Sequence, residues 1–145
     1  MKIPISMKML IRSILVLLCL ISLGSCSKIV EEKQKDLLIT IMTKGQWHVE
    51  EYLEGATPVT NDFSGYNFQF EADGSVIGEK GDLKIPGTWV GDLTNYSISS
   101  SFPSTETPLV KLNGIWKILK TEMDFVEAEM TTGRTKNLLR LRKNS

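Results

Sequence analysis

The sequence holds two cysteines and one histidine among 145 residues. Cys19 lies inside an apolar N-terminal stretch and Cys26 just after it, so nothing beyond position 26 can form a disulfide or a Cys-rich zinc site. His48 has no nucleophile and orienting acid at a spacing that builds a catalytic triad. Alternating with Trp47, it reads as an outward-facing strand residue. No glycine-rich loop precedes a helical stretch, which leaves no phosphate-binding turn. Asp73, Asp82 and Asp92 each adjoin a glycine, so turn chemistry explains them, and they lack the acidic spacing of a calcium loop. No dense Lys/Arg run occurs. Three of the 17 basic residues (Lys2, Lys8 and Arg12) fall in positions 1–25 and none of the 17 acidic ones does. The remainder therefore carries a net charge of about −3, which argues against binding driven by phosphate neutralisation. The expectation is no metal, no cofactor, no nucleic-acid partner and no enzymatic activity.

Long apolar runs are also absent. Ser13 to Leu23 is apolar but for Ser13 and Ser22, and is too short for a membrane-spanning helix, which needs about 20 residues. With Lys2, Lys8 and Arg12 ahead of it, the run has the form of a secretory signal. Leu23-Gly24-Ser25-Cys26 then resembles the bacterial lipobox: an aliphatic residue, two small ones, and the cysteine that receives the lipid. The resemblance implies cleavage between Ser25 and Cys26, and acyl chains that tie the new N-terminus to a membrane. Several acyl chains anchor stably where one is marginal. Ser27, rather than the aspartate that retains lipoproteins of enteric bacteria in the inner membrane, favours the outer membrane. Glu31-Glu32 loosely resembles surface-export signals of Bacteroidetes-type lipoproteins, although a solvated tether explains it as well. The expected organisation is a removable leader over 1–25, a tether over 26–36 and one domain over 37–145. A domain of that size can bury a core without staples.

What the sequence does have is a repeated Gly-x-Trp: Gly45-Gln46-Trp47, Gly87-Thr88-Trp89 and Gly114-Ile115-Trp116, which together hold every tryptophan. Each opens a strand-like stretch. Before the first, Leu37, Leu38, Ile41 and Met42 share a stripe at helical spacing and Gly45 suits a helix end, predicting a helix over 33–43. The β-branched Ile39, Thr40, Ile41 and Thr43 leave a strand as the alternative. From Trp47 the period becomes two, with Trp47, Val49, Glu51 and Leu53 on one face and His48, Glu50 and Tyr52 on the other. A loop follows over 55–62. Tyr66, Phe68 and Phe70 alternate with Asn67, Gln69 and Glu71, and Ala72-Asp73-Gly74 turns the chain into 75–80. The strand over 83–90 contains Pro86 and Gly87, where an irregularity is expected. Tyr96, Ile98, Ser100 and Phe102 alternate with serines, and a Ser/Thr-rich loop spans 103–108. Strands over 114–121, 126–130 and 135–143 follow, with Trp116 and Ile118, then Val126 and Ala128, then Leu139 and Leu141 on one side. Short turns favour sequential antiparallel pairing. No second helical block supports βαβ units.

Eight short strands in order, one N-terminal helix and a Gly-x-Trp at the first strand resemble the lipocalin family in its broad sense. The likeness is closer to the small lipocalin-like lipoproteins of Bacteroidetes-type bacteria, and it covers residues 37–143. It implies an all-β fold: an eight-stranded antiparallel up-and-down β-barrel, lipocalin-like, with a short N-terminal helix. It also implies that Trp47 lies near the closed barrel end, with a basic side chain of the last strand, Arg140 or Arg142, packed across it. A guanidinium stacks well on an indole. A barrel of eight strands is either filled by its own side chains or holds one small ligand. Tyr66, Phe68, Phe70, Trp89, Tyr96, Ile98 and Phe102 are the inward candidates, as plain core or as lining. Two functions follow. One is a lipid-anchored envelope protein that binds a small hydrophobic or amphipathic molecule. The other is a protein-interaction module, an accessory subunit or inhibitor with a filled barrel, meeting an envelope partner through loops 54–62 and 103–109. Cys26→Ala should shift the protein from the membrane fraction to a soluble or unprocessed form, as cell fractionation reads it; unchanged membrane attachment would contradict the lipobox reading.

Overall fold

The computed structural model describes residues 37–103 and 105–145. The leader, the tether, Ser25, Cys26 and residues 33–36 of the expected helix lie outside the described residues. Helix α1 (37–43) is present as its apolar stripe predicts. Leu38, Ile41 and Met42 face the core, and Leu37 faces solvent. The Thr43 hydroxyl donates to Ile39 O at 2.7 Å across the last turn. Gly45, at φ +79°, then leaves the helix in the left-handed conformation that favours glycine.

The strands are β1 (Trp47–Glu54), β2 (Thr57–Pro58), β3 (Asn67–Phe70), β4 (Ser75–Lys80), β5 (Leu83–Asp92), β6 (Ser97–Ser101), β7 (Gly114–Thr121), β8 (Phe125–Thr132) and β9 (Thr135–Lys143). From β3 to β9 each strand pairs antiparallel with the next, β1 pairs β3 past the short β2, and β1 pairs β9 to close the ring. The closed barrel has eight strands. The two-residue β2 is an extra flap on the end of β1, through Leu53↔Pro58 and Glu54↔Thr57. Closure is uneven around the ring. The β1–β9 ladder runs from Trp47↔Lys143 to Glu54↔Asn137, whereas β1 meets β3 only at Trp47↔Phe68. In that seam a 3-10 turn, Thr60–Phe63, stands in for strand pairing. Tyr52 N donates to Thr60 Oγ1 at 3.0 Å, and Val59 N donates to Tyr52 O at 2.9 Å.

Two details of the strands depart from simple alternation. A register shift between Val49 and Glu51 leaves Glu50 bulged, so Tyr52, not Glu51, points inward. One extra residue reverses the phase of everything after it. A second shift lies between Ile118 and Lys120, at exposed Leu119. The irregularity expected at Pro86 does not occur. Pro86 pairs in register with Ile77 of β4, and β5 meets β6 only from Thr88↔Ser101 onward. On the β6 side its missing N–H therefore breaks no ladder bond. Tyr96 is not part of a strand: it sits in the β5–β6 turn at φ +50° and is 52% exposed.

The core runs the length of the barrel axis. At one end lie α1, Trp47 and Trp89. At the other lie Phe63 of the seam and a second 3-10 turn, Leu109–Leu112. The first turn arises at the end of the loop expected over 55–62, and the second from the stretch that follows the loop expected over 103–108. Packing is tight where β5 passes β6. A methyl group built on Gly87 would fall 2.7 Å from Ser101 O and 2.8 Å from Phe102 Cδ1. Gly87→Ala should therefore lower stability by about 1–3 kcal/mol in denaturant unfolding. Val90→Ala, on the exposed wall nearby, should change it by no more than about 0.5 kcal/mol.

Candidate functional site

The barrel interior is the first place to look for a ligand, and it is almost full. A residual cavity of about 30 Å³ remains on the axis, lined by Phe68, Phe70, Phe102, Leu112, Trp116 and further aliphatic groups of β6, β8 and β9. That space is of the order of one or two waters, and sites for drug-sized ligands span about 300–1,000 Å³. Its one polar side chain, Ser100, donates its hydroxyl to Leu112 O at 2.6 Å, so no polar group is left to orient a guest. Phe68, Phe70, Ile98 and Phe102 line the cavity as the alternation predicts. Tyr66 and Trp89 are buried but lie outside the lining, and Tyr96 is outside the barrel. Trp116, Val126, Ala128, Leu139 and Leu141 complete the lining from strands whose one-sided pattern was legible. Leu112 comes from a 3-10 turn whose role depends on long-range contact.

Both mouths are stoppered. At the α1 end the Trp47 indole N–H donates to Met42 O at 2.9 Å, and that of Trp89 donates to Glu71 O in the β3–β4 turn at 2.8 Å. At the other end the Trp116 indole donates to Leu112 O at 2.9 Å. The Tyr52 hydroxyl donates to Lys111 O at 2.9 Å. Lys111 itself reaches Glu54 and Asp62, each at 2.9 Å, which ties the Leu109–Leu112 turn to the β1–β2 flap and the seam. The Asn113 side chain accepts from Phe102 N and donates to Phe102 O, closing the loop between them. Leu109 is fully buried over Gly78, whose missing side chain makes the room. Loops 54–62 and 103–109 are thus parts of this stopper.

Trp47 lies at the α1 end as the resemblance implies, but neither Arg140 nor Arg142 covers it. The covering cation is Lys143, its Nζ 4.8 Å from the Trp47 ring centroid and hydrogen-bonded to Ile41 O and Met123 O. Burial holds its pKa below the usual lysine value, with Asp124 opposing the shift. The arginines point outward, because Lys143 shares the register of Leu139 and Leu141 and they alternate with it. Arg140 pairs with Glu127 and Glu51, and Arg142 pairs with Glu50 and Asp124 and stacks on Phe125. These contacts raise both guanidinium pKa values, led by the bond to Glu127 for Arg140 and to Glu50 for Arg142. The outer wall of β8, β9 and β1 is therefore a charged ladder. The wall of β5, β6 and β7 differs. Val90 and Ile115 flank Ser99 in cross-strand register, with Thr88 and Ser101 paired in the next row, and Val90 and Ile115 are 61% and 69% exposed. His48, at the surface, hydrogen-bonds Asn144.

No family model and no curated protein matches the chain. The crystal structure of a DUF4847 family protein from Bacteroides vulgatus ATCC 8482 is similar in fold, with a TM-score of 0.55 and 19% sequence identity. The match covers 74% of this chain and 97% of that one. At that identity the likeness speaks for the barrel alone.

Tyr52 reports on the stopper. Burial, and secondarily the Glu54 carboxylate, raise its pKa to about 12. A raised folded-state pKa contributes stability that is complete below the unfolded value of about 10 and is lost as pH rises through about 12. Spectrophotometric titration should show one tyrosine ionising near pH 12, missing in Tyr52→Phe. The variant should also lose part of the fall in stability between those pH values.

Proposed function

We propose that the chain is a lipid-anchored cell-envelope protein that works through its outer surface, as an interaction module, accessory subunit or inhibitor, rather than as a carrier. The observation that carries this reading is the interior: about 30 Å³ of apolar space, with the three indole N–H groups tied to segments at its two ends. A filled barrel is a rigid platform, and rigid platforms lose little entropy on docking. The β5–β6–β7 wall supports the reading further, because exposed Val90 and Ile115 stand in register with small hydroxyl residues, away from the Arg140 and Arg142 ion pairs of the opposite wall. The Leu-Gly-Ser-Cys run at 23–26 supports anchoring through Cys26, and Ser27 supports the outer membrane.

A second reading is a small hydrophobic ligand in the barrel, favoured by the wholly apolar lining. It requires Leu112 and Phe102 to move aside, which breaks the Trp116 and Asn113 bonds to that segment. Native mass spectrometry of the purified lipoprotein with fatty acids and bile-acid-like amphipaths separates the two. The interaction reading expects no stoichiometric adduct and no thermal shift. A ligand present at about 100 times its Kd would stabilise the fold by about 2.7 kcal/mol, and that outcome would turn the assignment to the second reading.

A further inference from the structure

Seven large apolar side chains stand exposed among the described residues, and four of them gather at the α1 end: Leu37, Tyr96, Leu119 and Met123. Single exposed apolar residues are ordinary, whereas a group on one end marks a contact. The elements that carry them meet at this end. Lys143 Nζ donates to Met123 O at 2.8 Å and Ile41 O at 3.2 Å, which holds the β7–β8 turn against α1. Leu38 of α1 lies over Gly91, where an added methyl would be 3.1 Å from Leu38 Cδ2, so α1 also reaches the turn that carries Tyr96. Ile118 N donates to Tyr96 O at 2.7 Å, and Leu119 follows Ile118 on the same stretch of wall. Leu37 lies at the start of the described part of α1 and is exposed.

The sequence places Cys26 eleven residues before Leu37. Even fully extended, that segment spans at most about 40 Å. An acyl anchor at Cys26 therefore keeps the α1 end near the bilayer at a millimolar-order effective concentration, where a contact too weak to hold alone is populated. Apart from Lys44, exposed just after α1, the cations at this end are engaged within the protein. Lys120 pairs with Glu122 at 2.6 Å, Arg142 pairs with Glu50 and Asp124, and Lys143 is turned in over Trp47. What remains is an apolar rim with an aromatic group and the exposed Lys44, a composition that settles at a membrane interface.

We infer that the α1 end of the barrel rests on the bilayer surface, with Leu37, Tyr96, Leu119 and Met123 set into the headgroup region. The inference stands on the anchoring of Cys26. It leaves the opposite end, with the Leu109–Leu112 turn and the β8–β9 hairpin, facing away from the membrane.

Introduced thiols test it, because on the anchoring reading Cys19 leaves with the leader and Cys26 is acylated. Met123→Cys and Leu37→Cys report on the α1 end and Leu83→Cys, at the β4–β5 turn, on the far end. Each full-length lipoprotein is labelled with an environment-sensitive dye and reconstituted in phosphatidylcholine vesicles with a headgroup-region nitroxide quencher. The expected result is blue-shifted, quenched emission at 123 and 37, unchanged in high salt, and water-like emission at 83. Vesicle-bound protein with water-like emission at all three positions overturns the inference and leaves anchoring intact, as does quenching at 83 alone. Loss of the shift at 123 in high salt overturns the apolar contact. Protein that does not float with the vesicles overturns the anchoring reading, and the inference falls with it.

Discussion

Three indole N–H groups hold the molecule shut. Each Gly-x-Trp supplies one, and each donates out of the barrel wall to a carbonyl of a segment that is not itself part of the ring: Met42 in α1, Glu71 in the β3–β4 turn, Leu112 in the second 3-10 turn. A buried indole N–H without a partner costs on the order of 1–3 kcal/mol. The same ring that fills the interior therefore has to find a carbonyl at the rim, and the rim has to be where that carbonyl can be reached. Packing and closure become one constraint. The aromatic contacts share it: Trp89 meets Phe70 edge-on at 5.3 Å, and Trp116 meets Tyr52 edge-on at 5.7 Å. Tyr52 in turn hydrogen-bonds the backbone of the turn that Trp116 pins.

The consequence for function is a barrel with an outside but little inside. The interior has neither the volume nor a free polar group for specific recognition. The proposed interaction role draws on the surface, and the surface is divided. One wall carries ion pairs along β8, β9 and β1, the opposite wall carries small hydroxyls with two exposed aliphatics, and the α1 end carries an apolar rim. The seam between β1 and β3 is the weakest part of the ring, bridged by a single pair and filled by Phe63 and the Thr60 hydroxyl. Local opening, where it occurs, is expected there rather than along the continuous β1–β9 ladder.

Much of this was legible in the chain. Period-two alternation found the eight strands of the ring, and helical spacing found α1, because both follow from which side chains must be buried. The bulge at Glu50 was not legible. It inserts a residue with no distinctive side chain, and so Tyr52 was expected outside when it is a principal core group. Tyr96 continues the alternation of β6 in sequence, yet its left-handed backbone places it in the turn. Lys143 was overlooked beside Arg140 and Arg142, since which of three nearby cations faces in depends on register and not on type. The residual volume was the least accessible quantity: it is a sum over many side chains, and pattern alone does not distinguish a filled barrel from a cup.

The most direct measurement is hydrogen exchange of the three tryptophan indole N–H signals by NMR, followed beside the strand amides. Closure by the tryptophans predicts that Trp47, Trp89 and Trp116 all exchange as slowly as amides of the β1–β9 ladder. A Trp116 indole that exchanges at the rate of a solvent-exposed group, while those amides stay protected, would show that the Leu112 turn opens freely and that the barrel is a vessel after all.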